Sequence, residues 1–334
     1  MKPRLCIISR MLRWKTKFTT LLAILSGLLV VTASAGAQQP SQARETVQKG
    51  ANGTYTLHAN VTEVVLYATV VDKHGHLVTT LQKQNFSVKE DGVPQTISSL
   101  REEDVPVSMA ILIDNSASMG SKRAAVNRAA IDLVRASNPQ DEAFIVNFSD
   151  EAFLDQDFTS NIGLLEKGLS HIDSRGGTAL YDAVIAAAGH LAEKAKRPKQ
   201  VILIVTDGED NSSSDTLEQT VKSVQKLDGP IVYSIGLLYN EPHGESGRAR
   251  KALKTLSDQT GGIAFFPQSL AKVGPIAQEV ARDIRRQYIL GYHPSRPISQ
   301  GGYRSIQVAA HAKGLGRLTV RTRAGYYASN PSGK

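Results

Sequence analysis

Two kinds of hydrophobic pattern divide the chain. Between residues 105 and 286, wholly apolar runs alternate with segments whose apolar residues recur every three or four positions. The runs are "SMAILID", "EAFIVNFS", "QVILIVTDG", "PIVYSIGL" and "IAFF". They are too short for ordinary helices and lack a polar face, which predicts strands buried on both sides. Between them, "RAAVNRAAIDLVRAS" puts Val126, Ala130, Leu133 and Val134 on one helical face, and "ALYDAVIAAAGHLAEKA" aligns Leu180, Val184, Ala187 and Leu191. "DTLEQTVKSVQKL", "ARKALKTLSDQTGG" and "PIAQEVARDIRRQY" predict three more helices. The second is closed by glycines, and the third carries Pro275 in its first turn and a stripe of Ile276, Val280 and Ile284, its arginine-bearing side reading as a solvated face. Strands alternating with helices predict an α/β fold with a parallel sheet covered on both faces.

On either side the pattern is that of strands alone. Over 55–104, "VTEVVLYATVVD" is β-branched and aromatic, "KHGH" is a turn, and "NFSVKEDGVPQTISSL" reads as a hairpin about Asp91-Gly92. Over 287–328, "QYILGYHP", "YRSIQVAAH" and "GRLTVRTRAGYY" read as three strands joined by glycine-containing turns. Residues 329–334 are a tail. "NEPHGESGRARK", from Asn240, has the composition of an exposed loop.

The beginning of the chain follows neither pattern. A basic stretch precedes "LLAILSGLLVV" and "ASAGA", which predicts a signal peptide over 1–37 cut after Ala37, and so an exported protein, periplasmic or secreted. The apolar run is short for a membrane span of about 20 residues, so the membrane is a partner only if this segment is retained. The polar, aperiodic stretch 38–54 reads as a disordered leader.

Setting the signal aside changes the charge argument. The chain carries 39 basic and 31 acidic residues, but six of the basic ones lie in 1–37, leaving 33 against 31. The basicity is therefore a targeting feature, and nucleic acid is not an expected partner. The single cysteine, Cys6, lies in the same segment, which excludes disulfides and thiol catalysis from the remainder.

The candidate chemistry sits where the apolar runs end. Asp114 closes "MAILID", with Ser116 and Ser118 following at alternate positions, and Asp207 closes "VILIVTD". Thr178 lies in the glycine-rich loop "SRGGTAL" between them. Ligands of open parallel sheets bind beyond the carboxyl ends of the strands, where strand order reverses. An oxygen-only donor set suits Mg²⁺ or Mn²⁺. The short loop offers one carboxylate and two neutral hydroxyls, so it would hold a cation without neutralising it. Such a cation would attract a carboxylate from a partner. Taken singly, Asp114 and Thr178 are also good helix caps and Asp207 a good turn residue before Gly208. Asp182 could support the ligands or face solvent. Glu209, Asp210 and Asp215 could bind a second cation such as Ca²⁺, but an acidic loop rim is the simpler reading. His74 and His76 read as part of a surface turn.

Together "DNSASMG", "GGTALYDA" and "VTDGED" resemble the metal-ion-dependent adhesion site of the von Willebrand factor type A domain: Asp-x-Ser-x-Ser, then a Thr, then an Asp before Gly. The resemblance implies a Rossmann-like domain over 105–286 with Mg²⁺ or Mn²⁺ held by Asp114, Ser116, Ser118, Thr178 and Asp207. It also implies a protein ligand that donates an acidic side chain; that the protein is no enzyme is expected separately, from the lack of assignable catalytic residues. The flanks resemble those of an exported bacterial subfamily, and in related multidomain proteins such a domain is inserted into a β-sandwich. That implies pairing of 55–104 with 287–328 in a smaller, sandwich-like β domain. Two other functions remain open at this point: a metal-dependent, phosphatase-like hydrolase, and a structural component of an envelope assembly. Against the hydrolase, Ser116 stands where a second aspartate would be expected, and no nucleophile–base pair is evident.

Overall fold

The computed structural model describes residues 63–328 apart from 137, 171–173, 227 and 240–242, together with short strand segments nearer the N-terminus. The proposed cleavage point and the C-terminal tail lie outside the described residues. Within the expected leader, Thr46–Lys49 pairs antiparallel with Tyr55–His58. Among the described residues no helix is long and apolar enough to cross a membrane.

The first flank contributes β1 (Val64–Val71), β2 (Phe86–Glu90), β3 (Val93–Gln95) and β4 (Ile97–Glu102). The middle then runs β5 (Val107–Asp114), α1 (Arg123–Arg135), β6 (Glu142–Phe148), β7 (Ala152–Thr159), α2 (Ile162–Leu169), α3 (Leu180–Lys194) and β8 (Lys199–Thr206). It continues with α4 (Leu217–Val224), β9 (Ile231–Gly236), α5 (His243–Thr260), β10 (Ala264–Phe265) and α6 (Val273–Arg285). The second flank is β11 (Tyr288–Tyr292), β12 (Gly302–Ala310), β13 (Thr319–Arg321) and β14 (Gly325–Ala328).

The central sheet has the order β7-β6-β5-β8-β9-β10 and is parallel except for β7; the two-residue segment Leu5–Cys6 pairs outside β7. All eight residues of β5 are buried, because its alternate side chains enter different cores. Met109, Ile111 and Ile113 pack with residues of α1, α2 and α6, whereas Ala110 and Leu112 pack with residues of α3, α4 and α5. The sheet is thus helix-covered on both faces, as the uninterrupted apolar runs require. Chain order turns back between β5 and β8: β6 and β7 add on one side of β5, and β8 to β10 on the other. The carboxyl ends of β5 and β8 form the switch point.

The two flanks interleave. One antiparallel sheet has the order β13-β1-β11-β4 and the other β14-β12-β2-β3. Val64, Leu66, Phe86, Val88, Tyr288, Leu290, Ile306 and Tyr326 share one core between them. The hairpin turn is the tight type expected, with Asp91 and Gly92 at φ of 49° and 80°.

Several local readings are corrected. "GRLTVRTRAGYY" is not one strand: β13 pairs with β1 in one sheet and β14 with β12 in the other. Gly325 marks the change, since a Cβ there would lie 2.3 Å from the Tyr303 hydroxyl and 2.4 Å from the Arg304 carbonyl oxygen. Part of the supposed loop after Asn240 is helix, since α5 begins at His243 with Glu245 in its first turn, where the helix dipole favours an acid. The charged side of α6 is only partly solvated. Arg282 and Arg286 are exposed, but Asp283 is buried and accepts from Arg321 Nη2 at 2.6 Å and from the Tyr233 hydroxyl at 2.7 Å. Beside it the buried Lys199 ammonium donates to the Ile284 carbonyl and lies 4.9 Å from the Tyr67 ring centre. Burial lowers the Lys199 pKa to about 7. These contacts fasten the β-sandwich to the α/β body.

Candidate metal centre at the carboxyl ends of the central strands

Asp114 and Asp207 are fully buried at the ends of adjacent strands. The Asp114 carboxylate accepts from the Ser116 backbone N–H at 2.8 Å on one oxygen and from the Thr206 hydroxyl at 2.5 Å on the other. Ser116 and Ser118 bring their hydroxyl oxygens within 3.2 Å of each other, and Ser118 donates to Asp207 Oδ1 at 2.8 Å. One continuous polar chain therefore runs from Asp114 through the serine loop to Asp207. Burial pushes the Asp114 carboxyl up to about 6, against the hydrogen bonds from Thr206 and Ser116 that lower it; the nearby Asp207 raises it further.

Backbone hydrogen bonds lace the three loops together. Arg175 N–H donates to the Asn115 carbonyl at 3.1 Å and Ala117 N–H to the Gly176 carbonyl at 3.4 Å, joining the first loop to the second. Thr178 N–H donates to Asn211 Oδ1 at 2.8 Å and its carbonyl accepts from Asn211 N–H at 3.0 Å, joining the second to the third. The Thr178 hydroxyl faces Gly208, whose Cβ, if present, would lie 3.6 Å from it. Thr178 is thereby brought beside the residue that follows Asp207.

The middle loop owes its path to glycine. Gly176 adopts a φ of 76°, and a Cβ there would fall 2.2 Å from the Asp150 carboxylate, which accepts from Gly177 N–H at 2.7 Å. Gly176→Ala is expected to cost about 1–2 kcal/mol through the left-handed backbone alone. It would also displace Asp150 and with it Thr178. Thermal unfolding with and without Mn²⁺ would reveal a lower midpoint and a weaker metal response.

The other acidic side chains are engaged in the loop itself. Asp182 accepts from Ser214 and Asp215 N–H at 3.0 Å each, pinning the start of α3 to the third loop. Asp210 accepts from Tyr181 N–H and the Ser213 hydroxyl, and Glu209 pairs with Arg248 across the rim. His74 and His76 lie in a turn capped by Asp72, whose carboxylate accepts from both backbone N–H groups, at 2.8 and 2.9 Å. Sequence reasoning missed Thr206, whose hydroxyl interrupts an otherwise apolar run, and Lys122, whose ammonium lies 2.5 Å from Asp207 Oδ2. A lysine at the first turn of a helix, against the dipole, was the available signal.

Residues 109–209 match the family model for the von Willebrand factor type A domain. This segment is a von Willebrand factor type A domain. Comparison with curated proteins gave no match. Among solved structures, the chain is similar to a von Willebrand factor type A protein from Catenulispora acidiphila at 14% identity and TM-score 0.47, covering 73% of this chain and 72% of that one. It is also similar to the PilB minor pilin from Streptococcus sanguinis at 12% identity and TM-score 0.46, over 55% of this chain and 62% of the pilin. The vWF domain of the type V pili tip protein Mfa5 from Porphyromonas gingivalis aligns at 14% identity and TM-score 0.43, over 55% and 97%. The chain spans less than two thirds of the pilin's length.

The donor set of the von Willebrand factor type A domain fits a hard divalent cation. It consists only of oxygens, two carboxylates and three hydroxyls, carried on loops held together by backbone hydrogen bonds. Among the described residues no group of three or more acidic, histidine or cysteine side chains forms a metal cluster. The set would leave such an ion incompletely neutralised.

Proposed function

We propose that the protein is an exported, non-catalytic binding module of the adhesion type. In this reading Asp114, Ser116, Ser118, Thr178 and Asp207 hold Mg²⁺ or Mn²⁺, and the ion's remaining position accepts an acidic side chain from a partner protein. The observation that carries the reading is the hydrogen-bonded chain of Asp114, Ser116, Ser118 and Asp207 at the switch point, with the Thr178 hydroxyl alongside. Two carboxylates against a divalent charge leave affinity for a third. The "ASAGA" cleavage pattern supports export.

Panning the immobilised protein against a random peptide library in Mn²⁺ tests the ligand chemistry. The recovered peptides are expected to be enriched in Asp or Glu, to elute with chelator, and to be lost on the Asp207→Ala variant. Chelator-resistant peptides without acidic residues would refute the reading. Mg²⁺-dependent release of phosphate from a generic ester would instead favour the hydrolase.

A further inference from the structure

Lys122 has no role in the ligand set, yet it touches that set. Its ammonium lies 2.5 Å from Asp207 Oδ2, with the lysine 7% exposed and the aspartate fully buried. Asp207 Oδ1 is taken by Ser118, and both oxygens of Asp114 by Thr206 and Ser116. Every carboxylate oxygen at the site thus has a partner from the protein itself.

The position of this lysine is electrostatically costly on its own. Lys122 caps the N-terminus of α1, where the exposed N–H groups of the first turn favour an anion. Its ammonium is also taken out of water, which requires a counter-ion. Asp207 supplies that counter-ion across 85 residues of sequence. The Tyr239 ring has its centre 6.0 Å from the ammonium. The lysine stem is a flexible four-carbon chain, so its head can shift from Asp207 by rotation about its own bonds.

Resting on the metal-binding reading above, we propose that Lys122 is a resident counter-cation: it holds Asp207 when metal is scarce and must yield that carboxylate for a divalent ion to bind. A divalent cation coordinated by Asp207 and an ammonium on the same carboxylate repel each other in a site shielded from water. The bound metal therefore does work against the lysine, which lowers its affinity and sets the metal concentration at which the site becomes charged. In the metal-free domain the lysine in turn compensates one of the two buried carboxylates, that of Asp207. The lysine is a regulator of occupancy and not a ligand.

The alternative is that Lys122 merely orients Asp207 for the metal, and the two roles predict opposite signs. Mn²⁺ binding, read from the loss of the free-ion electron paramagnetic resonance signal, separates them. Lys122→Met and the gentler Lys122→Gln, which still reaches Asp207 with a neutral amide, are expected to bind Mn²⁺ about tenfold or more tightly than the unaltered protein. Their metal-free forms are expected to unfold at lower temperature and to recover on adding Mn²⁺. Lys122→Arg, which keeps the charge, is expected to bind no more tightly than the unaltered protein. Binding by the variants alone would also support the proposal. Equal or weaker binding by both neutral variants, when the unaltered protein binds, overturns it while leaving the metal site intact. Absence of binding by all four proteins overturns both the proposal and the metal-binding reading beneath it.

Discussion

Asp114→Asn is expected to stabilise the metal-free protein above pH 6 and to abolish its response to divalent cations. The Asp114 carboxyl is pushed from 3.8 to about 6 because burial penalises its charged form more than Thr206 and Ser116 relieve it. A carboxyl with a raised pKa binds its proton more tightly in the folded than in the unfolded chain. Its contribution therefore favours folding at low pH and is lost as pH rises from about 4 to about 6. The full shift corresponds to about 3 kcal/mol at neutral pH, an upper figure for what removing the charge can restore. Asparagine keeps the acceptor for Ser116 N–H, but its NH₂ needs the Thr206 hydroxyl to turn from donor to acceptor, so a net gain of about 2 kcal/mol is expected. Metal reverses the order. At a hundredfold excess over its dissociation constant, a cation that binds only the folded form adds about 2.7 kcal/mol to the unaltered protein and nothing to the variant. Thermal melts of both proteins at pH 4, 6 and 8, with and without Mn²⁺, test both expectations. A variant that remains less stable than the parent at pH 8 without metal would show that the charge of Asp114 is not what strains the site. Equal Mn²⁺ shifts in both proteins would remove Asp114 from the donor set.

Much of this architecture is written in local pattern, and what is not has a physical reason. β5 and β8 declare themselves because their central residues, Met109–Ile113 and Val201–Val205, are apolar and buried without interruption, leaving no polar position to confuse the period. β7 and α2 escape notice for the converse reason. "AFLDQDFT" is only half-buried and pairs with shifted register at the irregular side of the sheet, and α2 is eight residues long. Of the five oxygen-bearing positions, Asp114, Ser116, Ser118 and Asp207 are recognisable because they lie at or just beyond the strand ends, and Thr178 because of the glycine-rich loop that leads into α3. Lys122 lies four residues after Ser118 and Thr206 directly before Asp207, but their partners are 85 and 92 residues away, and no local pattern specifies such pairs. The same holds for Asp283: its helical period placed it beside arginines on a charged face, and only the docking of β13 and Tyr233 makes it a buried acceptor.

Glu90→Leu is expected to cost about 3–5 kcal/mol, the largest loss of any single change considered, because it strands a charge at the centre of the β-sandwich. Glu90 is the common acceptor of three elements from the second flank. It takes the Tyr292 hydroxyl of β11 at 2.6 Å, the Tyr326 hydroxyl of β14 at 2.8 Å and Arg304 Nη1 of β12 at 3.0 Å. Burial and the neighbouring carboxylate push the Tyr326 hydroxyl up to about 12 and the Tyr292 hydroxyl higher still, so both phenols stay protonated and can only donate to it. Arg304 is fully buried and also donates to the Arg296 and Pro297 carbonyls, at 2.6 and 2.5 Å, so it cannot withdraw to solvent when its anion is lost. Leucine would leave a buried guanidinium without a counter-charge and two phenols without their acceptor. Glu90→Gln keeps an acceptor and is expected to cost less. The double variant Glu90→Leu, Arg304→Met removes both charges and is expected to recover part of the loss, since buried pairs are replaceable by apolar groups where single partners are not. Chemical denaturation followed by circular dichroism measures all three, together with the single change Arg304→Met. A double variant less stable than the sum of its single changes would mean that the polar cluster specifies the pairing of the flanks and is not merely a balanced charge within it.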